Sequence, residues 1–394
     1  MRLSGRKHLL KICSPSHAHV AMANRTNLSQ CSQSRVAQER SFLERSRPQG
    51  ACMQCIAFYL PQFHPVPEND AVYGPGFTEW DNVRAARPLF QGHYQPHIPH
   101  KTVGWYSLLN ETFLVSQHEM AFRSGITAFC YYYYNFFGHT ILEKPLKIIR
   151  NNPAIRNNYC LCWAHPGWYD NRVGPQAIFV RQDYALEHAK PLYWAMASYF
   201  EDPRYITIDG KPLLLLWAPE RHPHLRAYTE ILRKESHIHG LPGLCLAGVE
   251  AYTPSQPESL GLDCMVEFAP NWLPENHVSP PGVLPVQIDY DKTLTFMLHK
   301  EIPPYIRLRC TFPGWDNTPR RGLHGIACVN TSLASFEYAL NFLAKYTKNV
   351  LPPSFQYLFI NAWNEWGEGC HLEPDIRNGG KYIHAVKKIL DAYN

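Results

Sequence analysis

Eight short apolar runs recur along the chain, and segments with helical spacing lie between them. The runs are rich in aromatic and branched residues and are nearly continuous in hydrophobicity, which is typical of parallel strands buried on both faces. They span Cys55–Phe63, Ile126–Tyr134, Tyr159–Ala164, Pro212–Ala218, Leu244–Glu250, Cys264–Pro270, Tyr305–Phe312 and Gln356–Trp363. This alternation predicts an α/β fold built on a parallel sheet.

The helical patterns set the number of strand–helix units. They cover Glu111–Ser124, Glu143–Asn151, Tyr184–Phe200, His222–His239, Pro257–Leu260, Asp289–Lys300, Thr331–Lys348 and Gly380–Tyr393. The fifth is short and predicts a single turn. Eight such units in about 340 residues predict a (β/α)₈ TIM barrel with long βα loops. A doubly wound open sheet is the alternative, but it normally has a Gly-rich turn after its first strand, and residues 60–65 contain no glycine.

Basic residues are concentrated before the first run. Residues 1–54 contain nine Lys or Arg and two Asp or Glu, whereas the whole chain has a net charge of +5. Residues 55–394, the predicted barrel domain, are therefore slightly acidic, which argues against a nucleic-acid-binding face. Since residues 1–54 lack an amphipathic period, we interpret them as a disordered extension or as sequence upstream of the true start; a transit-like peptide is the alternative.

Two further features bear on the protein's environment. Apolar stretches such as Leu213–Ala218 are far shorter than the roughly 20 residues that span a bilayer, so no transmembrane helix is expected. Several of the 12 cysteines lie within apolar runs, where a thiol behaves as a small hydrophobe. The cysteines therefore predict a reduced, cytoplasmic protein.

Polar and aromatic residues cluster where the predicted strands end. In a barrel of this class the loops after the strands build the active face. Sugars present apolar C–H faces and a rim of hydroxyls, so these residue types suit a glycan ligand. The predicted glycan-contacting residues are Tyr59, Gln62, His64, Glu79, Trp80, Tyr132, Trp163, Glu267, Trp315, Asp316, Asn361 and Trp363.

Glu365 and Glu368 follow the eighth run, three residues apart. In a tight turn that spacing places both side chains on one side, with Cβ atoms roughly 5–6 Å apart. Retaining glycoside cleavage uses two carboxyl groups about 5–5.5 Å apart, and mutual repulsion raises one pKa so that one group is an acid and the other a base. A solvated acidic loop is the alternative, but the flanking tryptophans and the strand-end position favour a catalytic pair.

Other candidate sites are less specific. Glu79, in the long first βα loop, is either a substrate ligand or one partner of a loop salt bridge. Arg320 and Arg321 either clamp a ligand carboxylate or phosphate, or tether loops through an aspartate. Among the histidines, His64 with His93, and His97 with His100, are the pairs expected to approach each other, but no metal-binding spacing occurs. With no P-loop, dinucleotide-binding or serine-nucleophile motif either, we predict no metal and no cofactor.

Several motifs together resemble the WbsX-type polysaccharide-biosynthesis proteins, which are similar to glycoside hydrolase family 99. The motifs are Tyr59–Pro65, Gly76–Trp80, Gly92–Pro96, Glu143–Leu146, Trp315–Arg320 and Asn361–Trp366. The resemblance covers residue 55 to the C-terminus. It implies a (β/α)₈ barrel that acts on glycans without a metal, in surface-polysaccharide synthesis, where family members are often described as glycosyltransferases.

The resemblance also implies roles for individual residues. Related endo-mannosidases share the pattern Asn-Glu-Trp-x-Glu-Gly followed by Glu-Pro. By that match, Glu365 is the base that deprotonates the sugar 2-hydroxyl to give a 1,2-anhydro sugar. Glu368 is the acid that protonates the leaving oxygen and then the base that activates water. Glu267 and Glu373 match acidic positions and are implied to bind sugar.

The chain departs from the family pattern at two strand ends. His165 and Pro166 stand where many members carry Asn-Glu, and Asn135 stands where members tend to have Trp. Three hypotheses follow. The first is a retaining enzyme of glycoside hydrolase type that cleaves or transfers mannose-like residues of a surface polysaccharide. The second is a glycosyltransferase of O-antigen or capsule biosynthesis, and the third is a catalytically impaired glycan-binding protein.

Overall fold

The chain forms a closed ring of eight parallel strands. The structure, a computed structural model, describes residues 53–270, 278–280 and 282–393. The ring strands, labelled β1 to β8, are Gln54–Tyr59, Ala128–Phe136, Asn158–Trp163, Lys211–Trp217, Cys245–Glu250, Cys264–Glu267, Arg307–Leu308 continued by Cys310–Thr311, and Tyr357–Ile360. Strand β1 pairs in parallel with both β2 and β8, so the first and last strands are neighbours.

The two-part strand β7 closes the ring. Arg307–Leu308 pairs with β6, and Cys310–Thr311 pairs with β8. Between the two parts, the Arg309 guanidinium lies 2.7 Å from a carboxylate oxygen of Glu267 in β6, and Lys300 lies 2.8 Å from the other oxygen. Backbone pairing and a buried ion cluster thus join β6 to β8 through β7. The barrel prediction is confirmed, and the open-sheet alternative is wrong.

Helices follow the barrel strands in the predicted order. They are Glu111–Arg123, Lys144–Asn151, Ala189–Phe200, Leu225–Ile238, the 3₁₀ turn Glu258–Leu260, Tyr290–Leu298, Leu333–Val350 and Lys381–Asp391. The single turn after β5 confirms the weak fifth pattern. Within the described residues, none of the helices is both long enough and apolar enough to cross a membrane.

The loops carry short elements of their own. The α-helices are Pro67–Tyr73, Glu79–Ala85 and Thr318–Arg321. The 3₁₀ turns are Leu186–His188, Pro219–Arg221, Gly322–His324, Pro353–Phe355 and Trp366–Glu368. The short strands are His139–Ile141, Trp168–Tyr169, Ile178–Val180, Thr207–Ile208, Val286–Asp289, Ile326–Val329, Asn364–Glu365 and Cys370–His371.

The barrel core is built from the predicted apolar runs. Aromatic rings of neighbouring strands meet there, for example Phe58 of β1 and Phe359 of β8, whose ring centroids lie 5.5 Å apart. The cysteines of the described residues are free thiols, and all but one of them are buried, as predicted from their apolar surroundings. Residues 1–52 of the predicted extension lie outside the described residues. Met53 is buried and Gln54 begins β1, so the last position of the predicted extension belongs to the barrel.

Candidate active site

The turn after β8 presents two carboxyl groups side by side. Asn364–Glu365 pairs antiparallel with Cys370–His371, and the 3₁₀ turn Trp366–Glu368 joins them. The Asn364 side chain fixes this hairpin to the end of β1, because its Oδ1 accepts the Leu60 N–H at 2.8 Å and its Nδ2 donates to the Leu60 carbonyl at 3.0 Å. The tight turn brings Glu365 and Glu368 to the same side, as their spacing predicted.

One arginine binds both of these carboxyl groups and a third. Arg320, in the helix after β7, contacts Glu365 through Nη2 at 2.8 Å and Glu368 through Nη1 at 2.6 Å. Its Nε lies 2.7 Å from Glu79 Oε1. We call these four residues the Arg320 cluster. It assembles three separate loops, and its single cation faces three carboxyl groups.

The composition of the Arg320 cluster shifts proton affinities. Burial and the neighbouring carboxylates Glu365 and Glu79 raise the pKa of Glu368, Arg320 lowers it, and the net result is a pKa of about 8. Burial also raises the pKa of Glu365, and Arg320 again acts in the opposite direction. A carboxylic acid that keeps its proton near neutral pH is suited to general acid catalysis.

Glycine is required at the centre of the turn for a spatial reason. A Cβ atom on Gly367 would lie 1.9 Å from Glu79 Oε1 and 3.0 Å from Arg320 Nε. The backbone of the turn therefore passes directly against the Arg320 cluster. Gly369 has a different role, because its φ of +56° lies in the left-handed region that glycine adopts readily.

A cavity of about 460 Å³ opens beside these carboxyl groups, and we call it the active cavity. Its volume lies in the range of small-molecule sites. Its aromatic lining comes from at least four strand ends and consists of Tyr73, Phe77, Tyr132, Tyr134, Trp168, Tyr169, Phe179, Trp217, Tyr252, Phe268 and Trp315. Polar side chains, among them Gln62, Asn82 and Asn171, lie between these rings. Flat rings with interspersed amides suit a sugar.

Comparison with known proteins identifies the family. The family model described as Glycosyltransferase WbsX matches residues 55–386. The chain belongs to the WbsX glycosyltransferase family. It is also 33% identical, over 349 residues, to the uncharacterized protein WxcX from two strains of Xanthomonas campestris pv. campestris; the alignment covers 85% of this chain and 49% of that protein. The chain therefore spans about half the length of these relatives.

Solved structures share the fold of this WbsX family member. The GH99 endo-alpha-mannosidase from Bacteroides thetaiotaomicron is 15% identical, with a TM-score of 0.53 over 86% of this chain and 97% of that one. A structure described as a glycoside hydrolase-like protein is 12% identical, with a TM-score of 0.56 over 86% of this chain and 94% of that one. At these identities the similarity establishes the barrel architecture.

Six of the predicted site residues of this WbsX family member line the active cavity. They are Gln62, Glu79, Tyr132, Trp315, Glu365 and Glu368. Glu79 forms the predicted loop salt bridge, with Arg320, and it also lines the active cavity. Its role as a substrate ligand stays a prediction. Arg320 was predicted to bind a ligand anion or an aspartate, and instead it binds three glutamates.

The other predicted contact residues are buried outside this lining, so direct contact with a ligand in the active cavity is not supported for them. They are Tyr59, His64, Trp80, Trp163, Glu267, Asp316, Asn361, Trp363 and Glu373. Three of them are tied to backbone carbonyls: the Trp80 indole to Tyr106 at 2.7 Å, the Trp163 indole to Asn135 at 3.1 Å and the Asn361 amide to Ala269 at 2.7 Å. His64 similarly donates from Nδ1 to Pro61, and Trp363 packs on Phe129.

Glu373 is the hub of a buried network rather than a wall of the active cavity. Its carboxylate accepts hydrogen bonds from Gln117 at 2.6 Å, Tyr106 at 2.9 Å and the Trp366 indole at 2.7 Å. Tyr59 donates to the other end of the Gln117 amide at 2.6 Å. Burial outweighs these hydrogen bonds, which lower the pKa of Glu373, and the net result is a pKa of about 7. Because Trp366 belongs to the turn Trp366–Glu368, this network supports that turn from the side away from the active cavity.

Asp316 and Glu267 likewise serve the scaffold. Asp316 accepts hydrogen bonds from His93 and Gln95, both at 2.6 Å, and from the Thr318 hydroxyl at 2.7 Å. It therefore ties the first βα loop to the loop after β7. Although burial raises the pKa of Asp316, these hydrogen bonds hold it below its usual value. Glu267 belongs to the ion cluster that closes the ring.

Several residues of the active cavity were missed from the sequence. Trp217 ends β4, and its ring centroid lies 4.6 Å from that of Phe268, which follows β6. Arg221 lies over the Tyr252 ring at 3.6 Å, and both residues line the active cavity. Trp217 closes an apolar run, so its strand-end position was a usable signal. Arg221 and Tyr252 lie on two different loops, so no local sequence pattern predicts their contact.

One of the two departures from the family pattern, His165–Pro166, lies just after β3. His165 is fully buried, 3.0 Å from the Tyr184 hydroxyl, and burial together with His222 lowers its pKa to about 3. Pro166 lines the active cavity. The wall formed by the loop after β3 is therefore apolar at the position where many family members carry a glutamate.

Proposed function

We propose that this WbsX family member breaks or transfers glycosidic bonds of mannose-like residues in a surface polysaccharide, with Glu365 as base and Glu368 as acid. The observation that carries the proposal is the convergence of both carboxyl groups on one guanidinium at the wall of an aromatic-lined cavity. The family description and the fold shared with an endo-alpha-mannosidase support it.

In the first step, one carboxyl group removes a proton from the sugar and the other donates a proton to the leaving oxygen. The Glu365 carboxylate removes the proton of the sugar 2-hydroxyl, and this oxygen bonds to the anomeric carbon. The bond from that carbon to the leaving oxygen breaks, and Glu368 gives its proton to the leaving oxygen. The raised pKa of Glu368 provides that proton near neutral pH.

The second step reverses both proton transfers. The Glu368 carboxylate takes a proton from an acceptor hydroxyl, whose oxygen attacks the anomeric carbon. The three-membered ring opens, and Glu365 returns its proton to the sugar 2-oxygen. Two inversions at one carbon retain the configuration, and both glutamates recover their starting protonation.

The nature of the acceptor separates hydrolysis from transfer. Water gives a hydrolase, whereas a sugar hydroxyl gives a glycosyltransferase that uses the same two carboxyl groups. The family description favours transfer. The aromatic lining extends over many rings, which is consistent with space for a second sugar.

Catalytic impairment is the remaining alternative, and the apolar Pro166 wall favours it. Against it, three carboxyl groups and the raised pKa of Glu368 are present at the active cavity. A binding protein has no need of a carboxylic acid that keeps its proton near neutral pH. We therefore place this alternative behind the two enzymatic ones.

Glu365→Gln and Glu368→Gln test the proposal directly. A panel of mannose-containing oligosaccharides with fluorescent labels supplies substrates, and mass spectrometry detects hydrolysis and, with added acceptor sugars, transfer. Each variant is expected to lose at least 10²-fold in kcat/KM, because the loss of an acid–base group costs that much. Nuclear magnetic resonance of the first product is expected to show retained configuration.

Glu258→Gln is the matched control, because Glu258 is an exposed glutamate on the 3₁₀ turn after β5. It is expected to keep full activity. Unchanged turnover in Glu368→Gln would refute the role assignment. Tight glycan binding by calorimetry with no product from the wild type, under all acceptor conditions, would establish the binding-protein alternative.

A further inference from the structure

A second cavity, of about 600 Å³, lies between the first βα loop, the loop after β7 and the segment after β8. Trp315 lines both cavities. His97, His371 and Asp375, which all carry metal-ligating atoms, are among the residues that line the second cavity. One ligand atom from each lies within 4.8 Å of the others. None of the three takes part in the proposed chemistry of the Arg320 cluster.

The two histidines turn ring nitrogens toward each other. His97 Nδ1 lies 2.9 Å from His371 Nε2. His371 Nδ1 lies 2.9 Å from the Glu373 carbonyl, which only accepts, so the His371 proton is on Nδ1 and its Nε2 lone pair faces His97. A backbone carbonyl that holds the far nitrogen of an imidazole is the usual support of a metal-bound histidine.

The third ligand is held in place by its own turn. Asp375 Oδ2 lies 4.0 Å from His371 Nε2. The Asp375 carboxylate accepts the Asn378 backbone N–H and, at 3.1 Å, the Asn378 side-chain amide. Two backbone hydrogen bonds, both of 2.9 Å, join the strand segments around the site: His100 N–H to the Pro374 carbonyl and Ile376 N–H to the Ile98 carbonyl. The three ligands therefore sit on two segments that are fastened together.

We propose that His97, His371 and Asp375 bind a divalent transition-metal ion, with Zn²⁺ the best match. Two neutral imidazoles and one carboxylate are a common protein ligand set for zinc, and the second cavity leaves room for water at the remaining position. Nitrogen ligands of a tetrahedral zinc ion lie roughly 3.3 Å apart, so the observed spacing of the three ligands requires shifts of about 1 Å.

Such an ion would strengthen the catalytic turn from outside. His371 lies on the strand Cys370–His371, which pairs with Asn364–Glu365. His97 lies on the first βα loop, which also carries Glu79. An ion between His97 and His371 would therefore link two of the segments that assemble the Arg320 cluster. This proposal concerns binding and stability, and it stands or falls independently of the proposed reaction.

The full chain is first freed of metal with a chelator and then titrated with Zn²⁺ by isothermal calorimetry, and with Co²⁺ by visible absorption. One site per chain with a Co²⁺ spectrum of nitrogen and oxygen ligands is expected, together with a higher Tm in Zn²⁺. His97→Gln and Asp375→Asn are each expected to weaken binding by roughly 100-fold or more, since even an outer-shell partner is worth 10–100-fold.

His100→Gln is the matched control, because His100 lies on the same loop outside the cluster and contacts the Thr102 hydroxyl. It is expected to bind as the wild type does. If the wild type bound no stoichiometric ion, His97 and His371 would be a hydrogen-bonded histidine pair only, and the proposal would be overturned. Equal affinity in His97→Gln, or thiolate bands in the Co²⁺ spectrum, would place the ion elsewhere and overturn it too.

Discussion

Protonation of Glu368 links one side chain to the pH dependence of the whole reaction. The pKa of Glu368 is raised to about 8 by burial, by Glu365 and by Glu79, while Arg320 opposes the rise. The acid is therefore protonated below that pH. We expect kcat/KM to fall as pH rises through about 8, and this descending limb to be absent from the residual activity of Glu368→Gln.

Arg320 supplies the control for this pH profile. Removal of its charge in Arg320→Gln leaves three carboxyl groups without a cation, so the pKa of Glu368 is expected to rise further and the descending limb to move to higher pH. Arg320→Lys keeps the charge and is expected to move the limb less. A limb at the same pH in all three proteins would mean that Glu368 does not produce it.

The same raised pKa acts on stability in a direction that can be checked. A glutamate in the unfolded chain releases its proton near its ordinary pKa of 4.5, whereas folded Glu368 keeps it to about pH 8. Between these values the folded state holds the extra proton, so the contribution of Glu368 to the free energy of unfolding falls as pH rises. Glu368→Gln should remove that slope in chemical denaturation.

Gly367 tests the close contact between the turn and the Arg320 cluster. The Cβ of Gly367→Ala would lie 1.9 Å from Glu79 Oε1, so Glu79 or the turn must move. We expect kcat/KM to fall by at least tenfold, because small displacements of catalytic groups have large effects. Gly314→Ala is the control, since its nearest neighbour would be 3.5 Å away; equal activity of the two variants would contradict the close contact.

For the individual residues of the Arg320 cluster, the sequence was informative about local geometry only. The spacing of Glu365 and Glu368 predicted that they share one side of a turn, because three residues of backbone determine that. Their shared partner Arg320 lies 45 residues away from Glu365, and the loop after β7 brings it there. No local pattern contains that information, so Arg320 was predicted to meet a ligand or an aspartate instead.

The two-part strand β7 depends on a buried charge. Glu267 is fully buried between Arg309 and Lys300. Glu267→Gln leaves these cations without a carboxylate, and we expect it to lower the free energy of unfolding by about 3–5 kcal/mol, measured by urea denaturation. Glu119→Gln, which breaks an exposed pair with Arg123, should cost less than about 1 kcal/mol.

The pH dependence of that loss provides a second check. Burial raises the pKa of Glu267, but Arg309 and Lys300 outweigh it and hold the pKa below the usual 4.5. A depressed pKa stabilises the fold above pH 4.5, and the benefit disappears as pH falls through the folded value. The difference between wild type and Glu267→Gln should therefore shrink in acid. Unchanged stability with lost activity would instead favour the implied sugar-binding role.

An aromatic cluster at a strand end does not by itself show which of its side chains face the active cavity. Tyr132 and Tyr134 line the active cavity. The hydroxyl of Tyr131, on the same strand, instead lies 2.5 Å from Nε2 of His118, on the helix Glu111–Arg123. Successive side chains of a strand point to opposite faces, so only alternate tyrosines reach the cavity. The sequence located the cluster at the mouth, but the register that selects its inner members comes from strand pairing.

For the whole molecule, the number and order of the strands were predictable, and the paths of the long loops were not. Eight apolar runs correspond to eight ring strands because each must be buried on both faces of a parallel barrel. The loops are positioned by contacts between distant residues, such as His93 with Asp316. The ligand atoms of His97 and His371 meet in the same way, so the expected pairing of His97 with His100 missed the cluster that forms.

The closure of the ring allows a prediction about which residues the barrel needs in order to fold. The first ring strand begins at Gln54, the last ends at Ile360, and the family match begins at residue 55. All pairings that close the ring therefore lie within residues 54–360. We expect a chain that lacks residues 1–47 to keep the Tm and the activity of the full chain, as measured by calorimetry and turnover.

A slightly longer deletion provides the contrast. Removal of residues 1–58 would take away most of β1 and with it the pairings to both β2 and β8. The ring would then have two unpaired edges, and a cooperative unfolding transition should be lost. If both deletions destabilised the chain equally, residues 1–47 would be an integral part of the barrel fold, and the predicted boundary at residue 54 would be wrong.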